Sequence, residues 1–411
     1  MISVYQHWDP LEVCAVGRSY PPEFYSFIEN HKVRSVLERI AIETEEDYQK
    51  LITLLECFNV SVIRNDISDN IEDHFWAGQY SPPPMTPRDH TAMIGKIFFM
   101  PGENYGWSPF DRRSYFAEEF SAMENKNLTS EEKEKILISL QNKFKTVPKE
   151  YKNIVINTIK QVIRSINHNP LTTFPNNKKF NTFHSIEKFV KDQGNTVLYD
   201  KYVNAATATR VGRDLYFGTV LEEEPLKNTE KYVSEVKKLI SSYYRTHIVN
   251  CKTHSDSCFS VVKPGLIVSL SNVQNYEKTF PDWEVVYLPN QSWNKVDGFL
   301  KLKNKNQGKW WVPGEELNDD FTYFVETWLK DWVLYVEETV FDVNMLVIDE
   351  RNVVCNNYNR DVFDAFDRHG VTPHIINFRH RYFWDGGLHC ITSDLSRRGT
   401  IQDYFPERNK K

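Results

Sequence analysis

Short apolar runs recur along the chain in pairs, each pair split by a glycine or by charged residues. TAMIGKIFFM (91–100), ATRVGRDLYFG (208–218), CFSVVKPGLIVSL (258–270) and NMLVIDERNVVC (344–355) share this form. Runs of β-formers joined by glycine or turn residues predict β-hairpins. LEVCAVGR (11–18) and GLHCITSDL (387–395) read as single strands of the same kind. Helical spacing fills the intervals. Over 43–59, Tyr48, Leu51, Ile52, Leu55 and Phe58 fall on one helical face. Thr129 and Ser130 followed by Glu131 and Glu132 start a helix, and two amphipathic segments broken near Pro148 extend over 130–165. Segments 320–336 and 360–369 are further helices, the second stopped by Gly370 with Pro373 beyond it. Hairpin, helix and strand, repeated about five times without a long flexible linker, predict one closed circular α/β domain over 1–411. The Lys- and Asn-rich stretch 120–185 breaks the pattern and reads as a helical insertion on the outside.

A chain of 411 residues can bury a large core without disulfides. Its 50 Lys and Arg against 56 Asp and Glu leave a net charge of −6 with no dominating basic face, so phosphate-based nucleic-acid binding has no support. No run approaches the roughly 18 uncharged apolar residues of a membrane-spanning helix. The N-terminal MISVYQHWDPLEVC lacks the basic start and apolar stretch of a secretory signal. Six cysteines, at 14, 57, 251, 258, 355 and 390, form no CxxC pair and no framework spacing. A reducing, cytoplasmic compartment is expected, without structural disulfides, zinc or membrane contact.

Lone polar residues stand at equivalent points of the modules. Asp89 precedes the first hairpin, Asn204 the second, and His254 and Asp256 the third, while Cys390 lies in the final strand. If the modules ring a common axis, these positions converge on one mouth, bringing together a thiol, an imidazole, an amide and two carboxylates. Taken singly each has an ordinary reading: a small buried hydrophobe for Cys390, a turn or cap residue for Asp89 and Asn204. Their shared placement is the stronger signal, and Gly386-Gly387 beside Cys390 allows a close backbone approach.

GGLHCITSDLSRRGTIQDYF (386–405) closely resembles the signature GGGFHCxTxDxRRRGxLxxY of the amidinotransferases that act on arginine, the glycine amidinotransferase group of the pentein superfamily. Other segments agree in order. WDPLEVCAVGR (8–18) is similar to WDPLxxVxVGR, and PRD (87–89) to the family's Pro-Arg-Asp. AATATRVGRDLYF (205–217) resembles AADxxRxGRDxF, HSDSCFSVVKPGLIVS (254–269) resembles HxDxTFxxxxPGxxLx, and NMLVIDERNVV (344–354) resembles NVLxLDExxVx. The resemblance implies the pentein fold, a five-bladed pseudosymmetric ββαβ barrel, with 120–185 as an addition to it.

It also implies a chemistry: an amidino group passes from a guanidine donor to an amine acceptor through a covalent cysteine adduct. Cys390 matches the nucleophile and His254 the acid–base residue, Asp89 and Asp256 the carboxylates that hold the planar guanidinium, and Ser393 a polar substrate contact. No cofactor or metal is needed, and family members often form homodimers. Two positions depart from the pattern. Asn204 stands where the family has the aspartate that orients the histidine; an amide can accept from the imidazole but cannot stabilise imidazolium by charge. The family's carboxylate-clamping arginine falls near Val273, no arginine occurs between Thr246 and Glu350, and Lys263 offers only a substitute without bidentate geometry. Substrates other than the arginine and glycine pair are therefore expected. Two alternatives remain open, a hydrolase or deiminase of the same superfamily and a guanidine-binding homologue with impaired catalysis. The length of the C-terminal match favours transfer.

Overall fold

A computed structural model describes residues 1–70, 74–76, 79–80, 82–101, 118–119, 128–147, 149, 152, 156, 180–199, 203, 205–219, 223–251, 254–270, 276–288, 312–315, 317–329, 332, 342–384 and 386–410. In chain order the elements are β1 (Leu11–Val16), α1 (His31–Cys57), β2 (Ser61–Arg64), a small hairpin of β3 (Phe75–Trp76) and β4 (Gln79–Tyr80), β5 (Ala92–Ile94) and β6 (Ile97–Met100). There follow α2 (Ser130–Thr146), α3 (His184–Asp192), β7 (Thr196–Tyr199), β8 (Ala208–Val211), β9 (Asp214–Thr219), α4 (Glu223–Leu239) and β10 (Arg245–Asn250). The remainder comprises β11 (Phe259–Lys263), β12 (Leu266–Leu270), α5 (Tyr276–Thr279), β13 (Glu284–Leu288), α6 (Asp319–Trp328), β14 (Leu346–Asp349), β15 (Asn352–Cys355), α7 (Arg360–Arg368), β16 (Thr372–Ile375), α8 (Arg381–Trp384) and β17 (Thr392–Arg397).

Five three-stranded sheets repeat one plan among the described residues: β17-β1-β2, β5-β6-β7, β8-β9-β10, β11-β12-β13 and β14-β15-β16. In each, an antiparallel pair is extended by a third strand that runs parallel to its neighbour. Parallel pairing requires a crossover, and a helix supplies it between the second and third strands of each module. This is the expected ββαβ repeat, five times over. The first module is closed by the two ends of the chain, since β1 pairs with β17.

Each hairpin is set by its turn. Gly95 (φ +59°) and Gly212 (φ +61°) occupy the first of two turn positions, as a turn matched to strand twist requires, and their ladders run without a register shift. The other two hairpins turn through Pro264-Gly265 and Glu350-Arg351. Asp349 Oδ1 accepts from Arg351 N at 2.7 Å in the latter. Both of these ladders shift register next to the turn, absorbing the mismatch as a bulge.

Four expectations change in detail. The first helix begins at His31, twelve residues before the expected start, because Val33, Val36, Leu37, Ile40 and Ala41 continue the same buried face. Asn30 caps it by accepting from Lys32 N, and Asn59 (φ +60°) ends it. The helix expected over 320–336 spans Asp319–Trp328, with 330–331 and 333–336 outside the described residues. The last strand begins at Thr392, so Gly387 to Ile391 form a turn ahead of it and Cys390 is not a strand residue. Finally, α2 begins at the expected capping box of Thr129 and Glu132, yet it buries Ile136 and Leu140 in the same cluster as α1 and α6. The second segment beyond Pro148 lies largely outside the described residues. Among the described residues no helix is long and apolar enough to cross a membrane.

At the centre of the ring sits a buried charge. Asp394 accepts from Arg88 Nη2 (3.1 Å), Arg210 Nη2 (2.7 and 2.9 Å) and Arg397 Nε (2.8 Å). Burial alone would push its carboxyl up; Arg210, Arg88 and Arg397 outweigh that and hold it well below the usual range. The same arginines tie modules together. Arg210 Nη1 donates to Met93 O in the second, and Arg397 Nη2 to Val347 O in the fifth.

Candidate active site

Four turns at the inner ends of the modules are stitched to one another. Arg88, in the turn Pro87–Asp89, donates from Nε to His389 O (2.8 Å) and Thr392 O (2.9 Å). It thereby fixes Asp89 relative to the turn that carries Cys390. Ala205 N donates to Arg88 O and Thr91 O, joining 205–206 to the same turn. Ser255 N and Ser255 Oγ both donate to Ala206 O at 2.9 Å, which seats the turn Ser255–Ser257 beside it. His254 and Asp256 belong to this last turn, so their position relative to Asp89 and Cys390 follows from backbone bonds.

Cys390 is fully buried. Its turn is closed by Ile391 N donating to Gly387 O at 3.0 Å and Thr392 N to His389 O at 3.1 Å. Asp256 Oδ2 lies 3.8 Å from Cys390 Sγ and accepts from His389 Nδ1 at 2.8 Å. Burial, followed by the charge of Arg88, lowers the His389 pKa well below 6.5, so the neutral ring holds its proton on Nδ1 toward the carboxylate. On the other side His254 Nδ1 lies 3.8 Å from Asp89 Oδ1, and this pair is the part-exposed edge of the cluster, with side chains 28% and 20% accessible. His90, next to Asp89, is pulled down to about 4 by burial and then by His254. A thiol and a carboxylate thus form the floor, and an imidazole and a second carboxylate form the rim.

Of the sequence-derived residues, Cys390 lies beside Asp256 and His254 beside Asp89, and the Ser255–Ser257 turn with its His254 cap links the two pairs through one backbone. Ser393 is buried on β17. Thr91 Oγ1 donates to Pro87 O at 2.8 Å and is also directed at Ser393 Oγ at 3.3 Å, which ties Ser393 to the Asp89 turn. Asn204 lies outside the described residues, as does Val273. Lys263 does not stand in for the missing arginine: at the far end of β11 from the Ser255–Ser257 turn, its Nζ donates to His369 O at 3.1 Å. Sequence reasoning missed His389, although the His-Cys pair was in view, and it missed Asn344, the first residue of NMLVIDE.

Beside Asp256 a small pocket lined by His7, Thr209, Asp256, Met345 and His389 offers about 10 Å³, space for a single water. A wider groove of about 600 Å³ beside β16, lined by Lys50, Leu54, His374 and Arg379, contains none of the site residues. No group of three or more His, Cys, Asp or Glu placed to hold a metal ion occurs among the described residues.

No protein-family model matches the chain. It is 22% identical to the mitochondrial glycine amidinotransferase of Xenopus tropicalis, over 98% of this chain and 84% of that one. It is 21% identical to the L-arginine:L-lysine amidinotransferase of Pseudomonas savastanoi pv. phaseolicola, over 50% of this chain and 48% of that one. The fold is similar to that of SxtG, an amidinotransferase of the saxitoxin biosynthetic pathway from Microseira wollei, with a TM-score of 0.55 at 15% identity, covering 98% and 99% of the two chains. It is also similar to the inosamine-phosphate amidinotransferase StrB1 of Streptomyces griseus, with a TM-score of 0.52 at 16% identity over 98% and 99%. In sequence from end to end, and in a fold of five ββαβ modules, the chain is thus similar to amidinotransferases.

Proposed function

We propose that the protein transfers an amidino group from a guanidine donor to an amine acceptor in two half-reactions, through an S-amidino adduct on Cys390. The observation that carries this reading is the placing of Cys390 Sγ beside Asp256 and of His254 beside Asp89, the two pairs linked through the Ser255–Ser257 turn. A guanidinium carbon is a poor electrophile because its charge is delocalised. Asp256 and Asp89 would hold the planar cation by paired N–H bonds and keep its carbon in front of Sγ. The thiolate attacks that carbon and the tetrahedral adduct collapses by breaking the carbon–nitrogen bond to the donor. His254 gives its proton to the departing amine and later takes one from the incoming amine. That amine attacks the amidino carbon, the carbon–sulfur bond breaks, and Cys390 is regenerated as thiolate.

Asp89 beside His254 supports the same scheme, because a carboxylate at that distance stabilises the imidazolium whatever Asn204 contributes. With Lys263 turned away and no arginine between Thr246 and Glu350, the donor need not carry an α-carboxylate clamped by a guanidinium. Intact-mass spectrometry after incubation with a panel of guanidines tests the reading. The expected product is one added amidino group, mapped to the Cys390 peptide and lost on addition of an amine. A chain that stays unmodified with every guanidine, or that carries the group elsewhere, overturns it.

A further inference from the structure

We propose that Asn344 is the positioning residue that presents Cys390 and keeps its sulfur ionisable in the empty site. This rests on the reading of Cys390 as the nucleophile, and it adds a residue which that reading does not require. The side-chain amide of Asn344 is directed at the nucleophile turn, with one further bond from Nδ2 to Asp256 O at 3.5 Å. Its Oδ1 accepts from His389 N at 2.8 Å and from Cys390 N at 3.1 Å, and its Nδ2 donates to Cys390 Sγ at 2.9 Å. Two backbone donors on one atom identify that atom as the oxygen, so the nitrogen necessarily faces the sulfur. Asn344 is fully buried, and Asn356 Nδ2 donates to its main-chain carbonyl at 3.4 Å, fixing the residue from behind.

The approach depends on a glycine. A Cβ built on Gly387 would lie 2.5 Å from Asn344 Oδ1 and 2.8 Å from its Cγ, so any side chain there would displace the amide. Gly387 is not in the left-handed region, which leaves close approach as the reason for glycine at this position.

The electrostatic need is clear from the neighbours. Asp256, 3.8 Å from Sγ, opposes ionisation of the thiol. His389 is neutral. Arg88 approaches from below through His389 O, but it, Arg210 and Arg397 also face Asp394. The Nδ2–H of Asn344 reaches the sulfur itself, and a hydrogen bond to the charged form favours that form.

The test is the pH dependence of Cys390 alkylation by iodoacetamide, followed by peptide mass on the full chain, for the parent, Asn344→Asp, Asn344→Ala and Gly387→Ala. Asn344→Asp keeps an acceptor for both backbone N–H groups but replaces the donor with a negative charge. Its alkylation midpoint should rise by about one to two pH units or more. Asn344→Ala should rise by less, and Gly387→Ala should shift in the same direction by pushing the amide off the sulfur. Midpoints equal to the parental one in variants that still melt cooperatively overturn the proposal. If Asn344→Asp does not fold, Gly387→Ala and Asn344→Ala decide. Alkylation needs no guanidine, so shifted midpoints without any amidino adduct would sink the transfer reading and leave this role standing, while an adduct with unshifted midpoints would do the reverse.

Discussion

The functional side chains hold their places because ordinary residues brace them. Arg88 joins the turns that carry Asp89 and Cys390 with one guanidinium, and His389 holds Asp256 while flanking Cys390. Removing the sulfur should therefore leave the frame intact. Cys390→Ala is expected to lose all adduct formation while its thermal unfolding stays within about 1 kcal/mol of the parent, since a thiol-to-methyl change removes little volume. Adduct formation at the parental rate would exclude Cys390. Asp256→Asn keeps shape and still accepts from His389 Nδ1, but it removes the charge facing the guanidinium. Adduct formation should fall by roughly 100-fold or more, read as single-turnover rates with saturating donor. The residues proposed to react could be named from the sequence because they sit in short motifs with fixed spacing. Asn344 was not, because nothing in NMLVIDE distinguishes a strand-leading amide from one that crosses 46 positions to reach Cys390.

At the level of elements, the glycine turns separate two kinds of cost. Gly265 (φ +88°) has open space around its missing Cβ, whereas a Cβ on Gly212 (φ +61°) would lie 2.2 Å from Gln402 O. Gly265→Ala should cost about 1–2 kcal/mol from backbone strain alone. Gly212→Ala should cost clearly more and loosen the C-terminal segment, because Arg213 N donates to Gln402 O beside it. Chemical denaturation of the two variants checks the order; equal losses would show that the clash relaxes freely. The hairpins were readable for the same reason that these glycines matter: paired apolar runs and turn residues are local signals. The third strands were not. Ser61–Arg64, Thr196–Tyr199 and Thr372–Ile375 have half-exposed residues and, among the described residues, lie at sheet edges with one partner each, distant in sequence. Even Pro373 fits such an edge, so a helix-stop signal and a strand coincide there.

The whole ring is held by groups whose protonation differs between folded and unfolded chains, and this makes its stability depend on pH in a predictable direction. His7 and His389 lie buried with their rings 5.8 Å apart, close to Asp394 and its arginines. Burial first, then Arg210 for His7 and Arg88 for His389, hold both pKa values well below 6.5. His7 must stay neutral to work as it does, since its Nε2 accepts from Arg210 N at 3.1 Å. Burial lowers His380 as well. Once pH drops below about 6.5, the unfolded chain takes up protons on these residues that the folded chain refuses. Their contribution is therefore complete above that value and is lost as pH falls toward the folded-state pKa values. Each histidine steepens the loss by up to about 1.4 kcal/mol per pH unit. The carboxylates act later. Asp394, Asp47 and Asp214 have lowered pKa values, so their share is lost only as pH falls below the unfolded aspartate value of about 3.9. Stability should thus decline in two stages, a histidine stage from about pH 6.5 downward and a carboxylate stage below about 4. Melting temperatures measured from pH 7 to 5 for the parent and for His7→Gln with His389→Gln separate the contributions. The double variant should start lower at pH 7, through lost packing, yet fall less steeply with acid. Parallel curves for the two proteins would show that the buried pair is protonated or exposed in the folded ring, and would remove the histidine stage.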